Sequence, residues 1–134
     1  MLDFDGVLHP AQGANVPEFQ RTAMLASALA GSDCRIVISS TWRDHYPVDV
    51  LARRLGDSLG ARVIGVLGPD GRGPYVRYQN ILRWLAANPW CTDWRALDDA
   101  ASEFPTGLSE LILCDGRVGL DHPQVTALRR WLRG

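Results

Sequence analysis

The sequence predicts an α/β fold, with a mainly parallel five-stranded sheet covered by helices on both faces. Short apolar runs alternate along the chain with apolar stripes at helical spacing, the pattern of strand–helix–strand units. The runs are continuous rather than alternating, as in Ile36-Val37-Ile38, which marks strands buried on both sides. The chain has 134 residues, 46% of them hydrophobic, which suits one domain over 1–134 with a packed core.

Each element has its own signal. Met1 to Phe4 reads as a short first strand. Pro17 and Glu18 open a helix, with Met24, Leu25, Ala28 and Leu29 on its apolar face and Gly31 at its end. Arg35 to Ile38 is the second strand. Val48, Leu51, Leu55 and Leu59 recur at helical spacing and predict one helix, stopped by Gly60. Val63 to Leu67 is the third strand, followed by a glycine- and proline-rich loop from Gly68 to Pro74. Tyr78, Ile81, Leu82 and Leu85 mark the next helix, Arg95 to Leu97 the fourth strand, and Leu111 to Cys114 the fifth. Val125, Leu128 and Leu132 mark a last helix. The sum is a Rossmann-like three-layer αβα sandwich.

Composition bounds the function. Net charge is -1, so the chain has no bulk attraction for polyanions. No apolar run approaches the ~18 residues that span a bilayer, so no membrane partner is expected. The N-terminus shows no basic stretch before an apolar one, so no secretory signal is expected. Cys34, Cys91 and Cys114 are widely spaced and odd in number, which predicts reduced thiols and a cytoplasmic protein. Cys34 and Cys114 flank apolar runs and read as core fillers. All 14 basic residues are arginine. A compositional bias accounts for that, but any catalytic cation must then be an arginine.

In open parallel sheets, ligands bind beyond the carboxyl ends of the strands. Residues that follow each strand are therefore the site candidates. They are Asp3 and Asp5, then Ser39, Ser40, Thr41, Trp42 and Arg43, then Asp98 and Asp99, then Asp115. Several carboxylates in one cleft repel each other. A hard divalent cation such as Mg2+ relieves that repulsion and commonly binds phosphate oxygens too, which points to phosphoryl transfer.

Leu2-Asp3-Phe4-Asp5-Gly6-Val7-Leu8 resembles the first motif of the haloacid dehalogenase (HAD) superfamily. Ile38-Ser39-Ser40 resembles the second, and Leu97-Asp98-Asp99 the fourth. The third, a Lys or Arg near a helix start, is best matched by Arg77, with Arg72 and Arg83 as competitors. His9-Pro10 after the first motif, together with Ser39-Ser40-Thr41-Trp42-Arg43, looks like the small HAD domains grouped with RNA-repair proteins.

The resemblance implies a Mg2+-dependent phosphoryl hydrolase or transferase. Asp3 would attack phosphorus to give an aspartyl-phosphate, and Asp5 would act as acid and then base. Mg2+ would be held by Asp3, the Asp5 backbone carbonyl, and one or both of Asp98 and Asp99. Ser39 would bind a phosphoryl oxygen and Arg77 would offset charge. Ser40, Arg43 and Gly6 would contact substrate, Gly6 also permitting the unusual backbone that lets Asp3 and Asp5 share a site.

Other roles stay open. Arg43 is either a phosphate ligand or a surface residue, and Trp42 either stacks on a nucleobase or covers the core. His9 lies close enough to meet substrate, and Asp115 more naturally shapes its turn with Gly116. Arg129, Arg130 and Arg133 read as a solvated helix end. A cap domain would enter between Leu8 and Val16 or between Gly68 and Val76. Each gap is nine residues, so a HAD core without a cap is expected. An open site suits a nucleotide or an RNA or DNA end, with the protein a monomer or weak dimer. The strand carrying Asp3 has only Met1 and Leu2 before it and is expected to be short; an upstream start would lengthen it. A receiver domain would place its nucleophile after the third strand, where Val66-Leu67-Gly68-Pro69 has no aspartate. A dehalogenase would not need Asp5. A non-catalytic phosphate-, nucleic-acid- or partner-binding module is the alternative.

Overall fold

The computed structural model describes residues 1–11 and 17–134. Its strands form two parallel ladders. β1 (Ile36–Ile38) pairs with β2 (Val63–Val66), and β3 (Ala96–Asp98) pairs with β4 (Leu111–Leu113). The N-terminal segment lies between the ladders. Leu2 N donates to Val37 O and Ser39 N donates to Leu2 O, each at 2.9 Å. On the other side Asp3 N donates to Leu97 O at 3.1 Å and Leu97 N to Met1 O at 3.0 Å. Leu2 thus makes one parallel bridge to Ile38 and one to Leu97.

The expected five-stranded sheet is therefore corrected to two two-stranded sheets joined through a bridging segment. The reason lies in the chain itself. The backbone turns away at Gly6, where φ is 80°, and the bridges on both sides fall on Leu2. One residue is left to pair on each side, which is too few for a strand.

The helices are α1 (Thr22–Leu29), α2 (Val48–Arg54), α3 (Asp57–Gly60), α4 (Val76–Ala87) and α5 (His122–Leu132), with 3-10 turns at Thr41–Asp44 and Ala101–Glu103. Two departures from the periodicity have backbone causes. α1 starts at Thr22 rather than Pro17, because Phe19 sits at φ 59°, outside right-handed helix. The stripe from Val48 to Leu59 is cut into α2 and α3 by Gly56 at φ 87°. Leu51, Leu55 and Leu59 stay buried on one side across that break. In α4, Ile81 is buried but Leu82 is 42% exposed, and Asn80 is buried in its place. α5 opens with a capping box: the Asp121 carboxylate accepts from the backbone, and Asp121 N donates to Gln124 Oε1 at 3.0 Å.

Alternation along the strands splits the core between the two faces of the sheet layer. Ile36, Ile38, Leu97 and Ile112 pack with Leu25, Leu29, Leu51 and Leu128, under α1, α2, α3 and α5. Val37 and Ala96 pack with Leu67, Ile81 and Phe104, under α4. Cys114 is buried and Cys34 packs at the edge of the first cluster. The stretch between β2 and α4 contains no helix or strand. In the gap after Leu8, residues 12–16 lie outside the described residues. Among the described residues no helix is long and apolar enough to cross a membrane.

Leu25 is 1% exposed where α1 meets α5. Leu25→Ala is expected to lower unfolding free energy by about 2–5 kcal/mol. Leu82→Ala on the exposed side of α4 should change it by less than about 0.5 kcal/mol. Urea titration followed by tryptophan fluorescence measures both.

Candidate active site

The bridge from Leu2 to Leu97 sets Asp3 beside the end of β3. Asp3, Asp98 and Asp99 each bring a carboxylate oxygen within 4.8 Å of the others. Asp3 and Asp98 are buried. One guanidinium answers the three carboxylates: Arg77 Nη1 lies 2.5 Å from Asp98 Oδ2 and 3.6 Å from Asp3 Oδ1. Of the competing arginines, Arg83 donates to Pro69 O at the surface and Arg72 is exposed. Arg77 is aimed by a residue that sequence reasoning missed. Glu103 Oε2 accepts its backbone N–H at 3.0 Å, at a helix start where Tyr75 (φ 55°) offers no side-chain cap.

The charge does not balance. Burial, and then the neighbouring Asp98 charge, push the Asp3 carboxyl up to about 8, against the pull of Arg77 and the Phe4 N–H. Asp99 is shifted upward too, by burial first and Asp98 second. A buried, under-neutralised set of hard oxygen donors fits a Mg2+ ion. Within the set, the two acids after β3 differ. Asp98 is engaged twice, Oδ2 by Arg77 and Oδ1 by Ala100 N at 2.9 Å. Asp99 is less buried and is flanked by two glycines. A Cβ on Gly6 would fall 2.1 Å from Asp99 Oδ2, and one on Gly116 2.5 Å. Gly6, expected against substrate, thus gives Asp99 room beside Asp3. Gly116 was legible only as part of a turn.

Ser39 is 1% exposed and is tied to the segment that carries Asp3 through Ser39 N to Leu2 O. The Ser40 hydroxyl accepts from Trp42 N at 3.3 Å and caps the 3-10 turn. Ser39 is therefore the one whose hydroxyl is not engaged in capping.

Arg43 requires a correction. Its five N–H groups go to Leu67 O (3.2 Å), Ser39 O (2.9 Å), Ser40 O (3.0 Å), Gly68 O (3.2 Å) and Asp70 Oδ1 (2.8 Å). A guanidinium has five donors, so none remains for the substrate phosphate expected of it. Asn80 Nδ2 reinforces the clamp by donating to Gly68 O and Asp70 Oδ1. Neither Asn80 nor Asp70 has a sequence signal beyond its polarity.

The Asp5 carboxylate is half exposed and stands outside the three-carboxylate group. It meets His9 Nε2 at 2.7 Å and Trp42 Nε1 at 3.2 Å. Trp42 packs on the core cluster, edge-on to Phe4 and Phe19, rather than standing free for a base. Asp115 is bound to Arg117 within its own turn. Arg129, Arg130 and Arg133 are exposed at the end of α5. Burial pushes the Cys114 thiol up to about 12.

The chain matches the family model described as HAD domain in Swiss Army Knife RNA repair proteins, over residues 1–125. No curated protein and no solved structure matches it.

Two predictions follow the geometry. Asp3 holds its proton more tightly folded than unfolded. Between its ordinary value of 3.8 and about 8, the folded chain keeps a proton that the unfolded chain has lost, so stability falls as pH rises. With metal chelated, the thermal midpoint should drop from about pH 5 to about pH 8. Asp3→Asn should flatten that slope and raise the midpoint at the alkaline end. Arg43→Lys keeps the charge but has three donors, and should cost about 1–3 kcal/mol in urea titration.

Proposed function

Because the chain belongs to the HAD domain family of Swiss Army Knife RNA repair proteins, we propose that it is a phosphomonoester hydrolase or transferase acting on a nucleotide or on an RNA or DNA end. One observation supports this most directly: Asp3, Asp98 and Asp99 converge at a strand edge with one guanidinium between them. A structural role would favour pairing those charges out, whereas a phosphoryl site needs an ionisable nucleophile beside a cation-binding group.

In this reading Asp3 attacks phosphorus and forms an aspartyl-phosphate while the bond to the leaving oxygen breaks. Asp5 gives that oxygen its proton. It then takes a proton from the water that cleaves the aspartyl-phosphate, which frees phosphate and restores Asp3. The Ser39 hydroxyl donates to a phosphoryl oxygen, with Ser40 and Gly6 lining the approach. Arg77 offsets charge on Asp3 and the phosphoryl group. Mg2+, held by Asp3, the Asp5 main-chain carbonyl and the Asp98-Asp99 pair, would offset the charge of the carboxylates and the phosphate. Asp99 is the stronger ligand of the pair, since both Asp98 oxygens already have partners. We read the chain as one HAD-like unit over 1–134 without a cap, a cytoplasmic monomer or weak dimer. The irregular stretch from Gly68 to Tyr75 supports an open mouth that admits an oligonucleotide end.

Phosphate release from nucleotides, 5′- and 3′-phosphorylated oligonucleotides and sugar phosphates tests the reading. Oligonucleotide ends should be the best substrates, chelation of Mg2+ should abolish turnover, and Asp3→Asn should lower it by about a thousandfold or more. Turnover surviving Asp3→Asn would sink the mechanism. Silence on every substrate with Mg2+ present would leave a non-catalytic phosphate-, nucleic-acid- or partner-binding module.

A further inference from the structure

Asp5 follows Asp3 by two residues, yet its carboxylate does not join the cluster of Asp3, Asp98 and Asp99 oxygens. Its two oxygens meet two rings. One is His9, from the turn after the nucleophile, and the other is Trp42, from the 3-10 turn after β1. The state of His9 follows from its second nitrogen. Nδ1 accepts the Phe19 N–H at 3.1 Å, so it carries no proton. The ring proton therefore sits on Nε2 and points at Asp5 Oδ1. Trp42 Nε1 is a donor only. Both oxygens of Asp5 are thus held by N–H groups.

Neither ring is free to turn. His9 is 6% exposed. Phe19 stands edge-on to both, with centroids 5.4 Å from His9 and 5.3 Å from Trp42. Tyr46 lies against Trp42 on a further side at 5.5 Å. Phe19 is the keystone of this packing. It occupies a left-handed conformation, φ 59°, that residues with a Cβ rarely adopt, and that conformation presents its N–H to His9. An untethered carboxylate beside three others would be a natural extra ligand for a hard cation.

We propose that His9 and Trp42 are positioning residues: a fixed two-donor cradle that holds the Asp5 carboxylate toward the open mouth and out of the cation cluster, where it exchanges a proton with the leaving oxygen. The inference rests on the reading of Asp5 as the acid–base group. It assigns His9 a role other than substrate contact and gives Trp42 one beyond packing.

A leaving group that is itself acidic needs little proton donation, whereas a ribose or alkyl oxygen needs much. Single-turnover release is compared for p-nitrophenyl phosphate and a 5′-phosphorylated oligonucleotide, with Mg2+. Trp42→Phe and His9→Phe each leave an aromatic ring and remove the N–H, and His9→Gln retains a donor. Trp42→Phe and His9→Phe should slow release from the oligonucleotide by about tenfold or more, within the ~10²–10⁴-fold range of acid–base catalysis. Release of p-nitrophenol should change by less than about threefold, and His9→Gln should recover most of the oligonucleotide rate. Equal losses on both substrates would mean a merely structural role and overturn the proposal.

Nitrogen-15 NMR of the resting protein is the second arm. The His9 ring should show the Nε2–H tautomer, and the His9 and Trp42 N–H signals should both move in Asp5→Ala. A proton on Nδ1, or signals that stay in place, would overturn the cradle. A wild-type protein that cleaves neither phosphate overturns the enzymatic reading and the proton-transfer role with it, while the spectra still decide whether the cradle exists.

Discussion

Four backbone hydrogen bonds around Leu2 hold the site's parts in register. They tie Met1, Leu2 and Asp3 to Val37 and Ser39 on one side and to Leu97 on the other. Without them the two parallel ladders would share no common edge. With them, the residue after Leu2 is fixed between the end of β1 and the end of β3. Asp3, Ser39 and Asp98 become neighbours although nearly a hundred residues separate the first from the last. The arrangement is economical but narrow, because a segment that pairs at one residue on each side depends heavily on the core beneath it. Leu2, Phe4, Val7 and Leu8 are all buried, and their packing supplies what so short a ladder cannot.

The second constraint is charge. Three carboxylates face one guanidinium in a buried place, and the neighbouring groups are arranged around that excess. Glu103 fixes the backbone of Arg77, the Ala100 N–H holds Asp98, and the two glycines leave space for Asp99 alone. Asp5 is taken out of the crowd altogether. The site is therefore divided. Buried acids that crave a counter-charge lie inward, and a half-exposed acid gripped by neutral donors lies outward.

Much of this was legible because a parallel sheet delivers the residue after each strand to one edge. That rule picks out Asp3, Ser39, Asp98 and Asp99 with no knowledge of distances. Arg77 was legible only through the resemblance to the family's third motif, with Arg72 and Arg83 as competitors. What was not legible depends on loops meeting loops. An arginine after Trp42 can bind phosphate or carbonyls equally well, and nothing in the sequence says that the chain at Leu67 and Gly68 comes within its reach. Glu103 and Asn80 belong to the same class. Helical spacing also hid the break at Gly56, since Leu51, Leu55 and Leu59 stay on one side whether the helix is continuous or not. The opening strand differs for a simpler reason: the backbone turns away at Gly6, and the bridges to Ile38 and Leu97 both fall on Leu2.

The five-donor grip of Arg43 works as a rivet between the loop after β1 and the loop after β2. It joins the carbonyls of Ser39 and Ser40 to those of Leu67 and Gly68. Apart from Asp70, whose carboxylate closes the grip, the outward side chains of the loop from Pro69 to Tyr75 can then change without altering the spacing between the serine loop and Asp3. The outer face of that loop is in this way uncoupled from the geometry of the carboxylate cluster. A lineage could exchange loop residues while Asp3, Asp98 and Asp99 stay where they are.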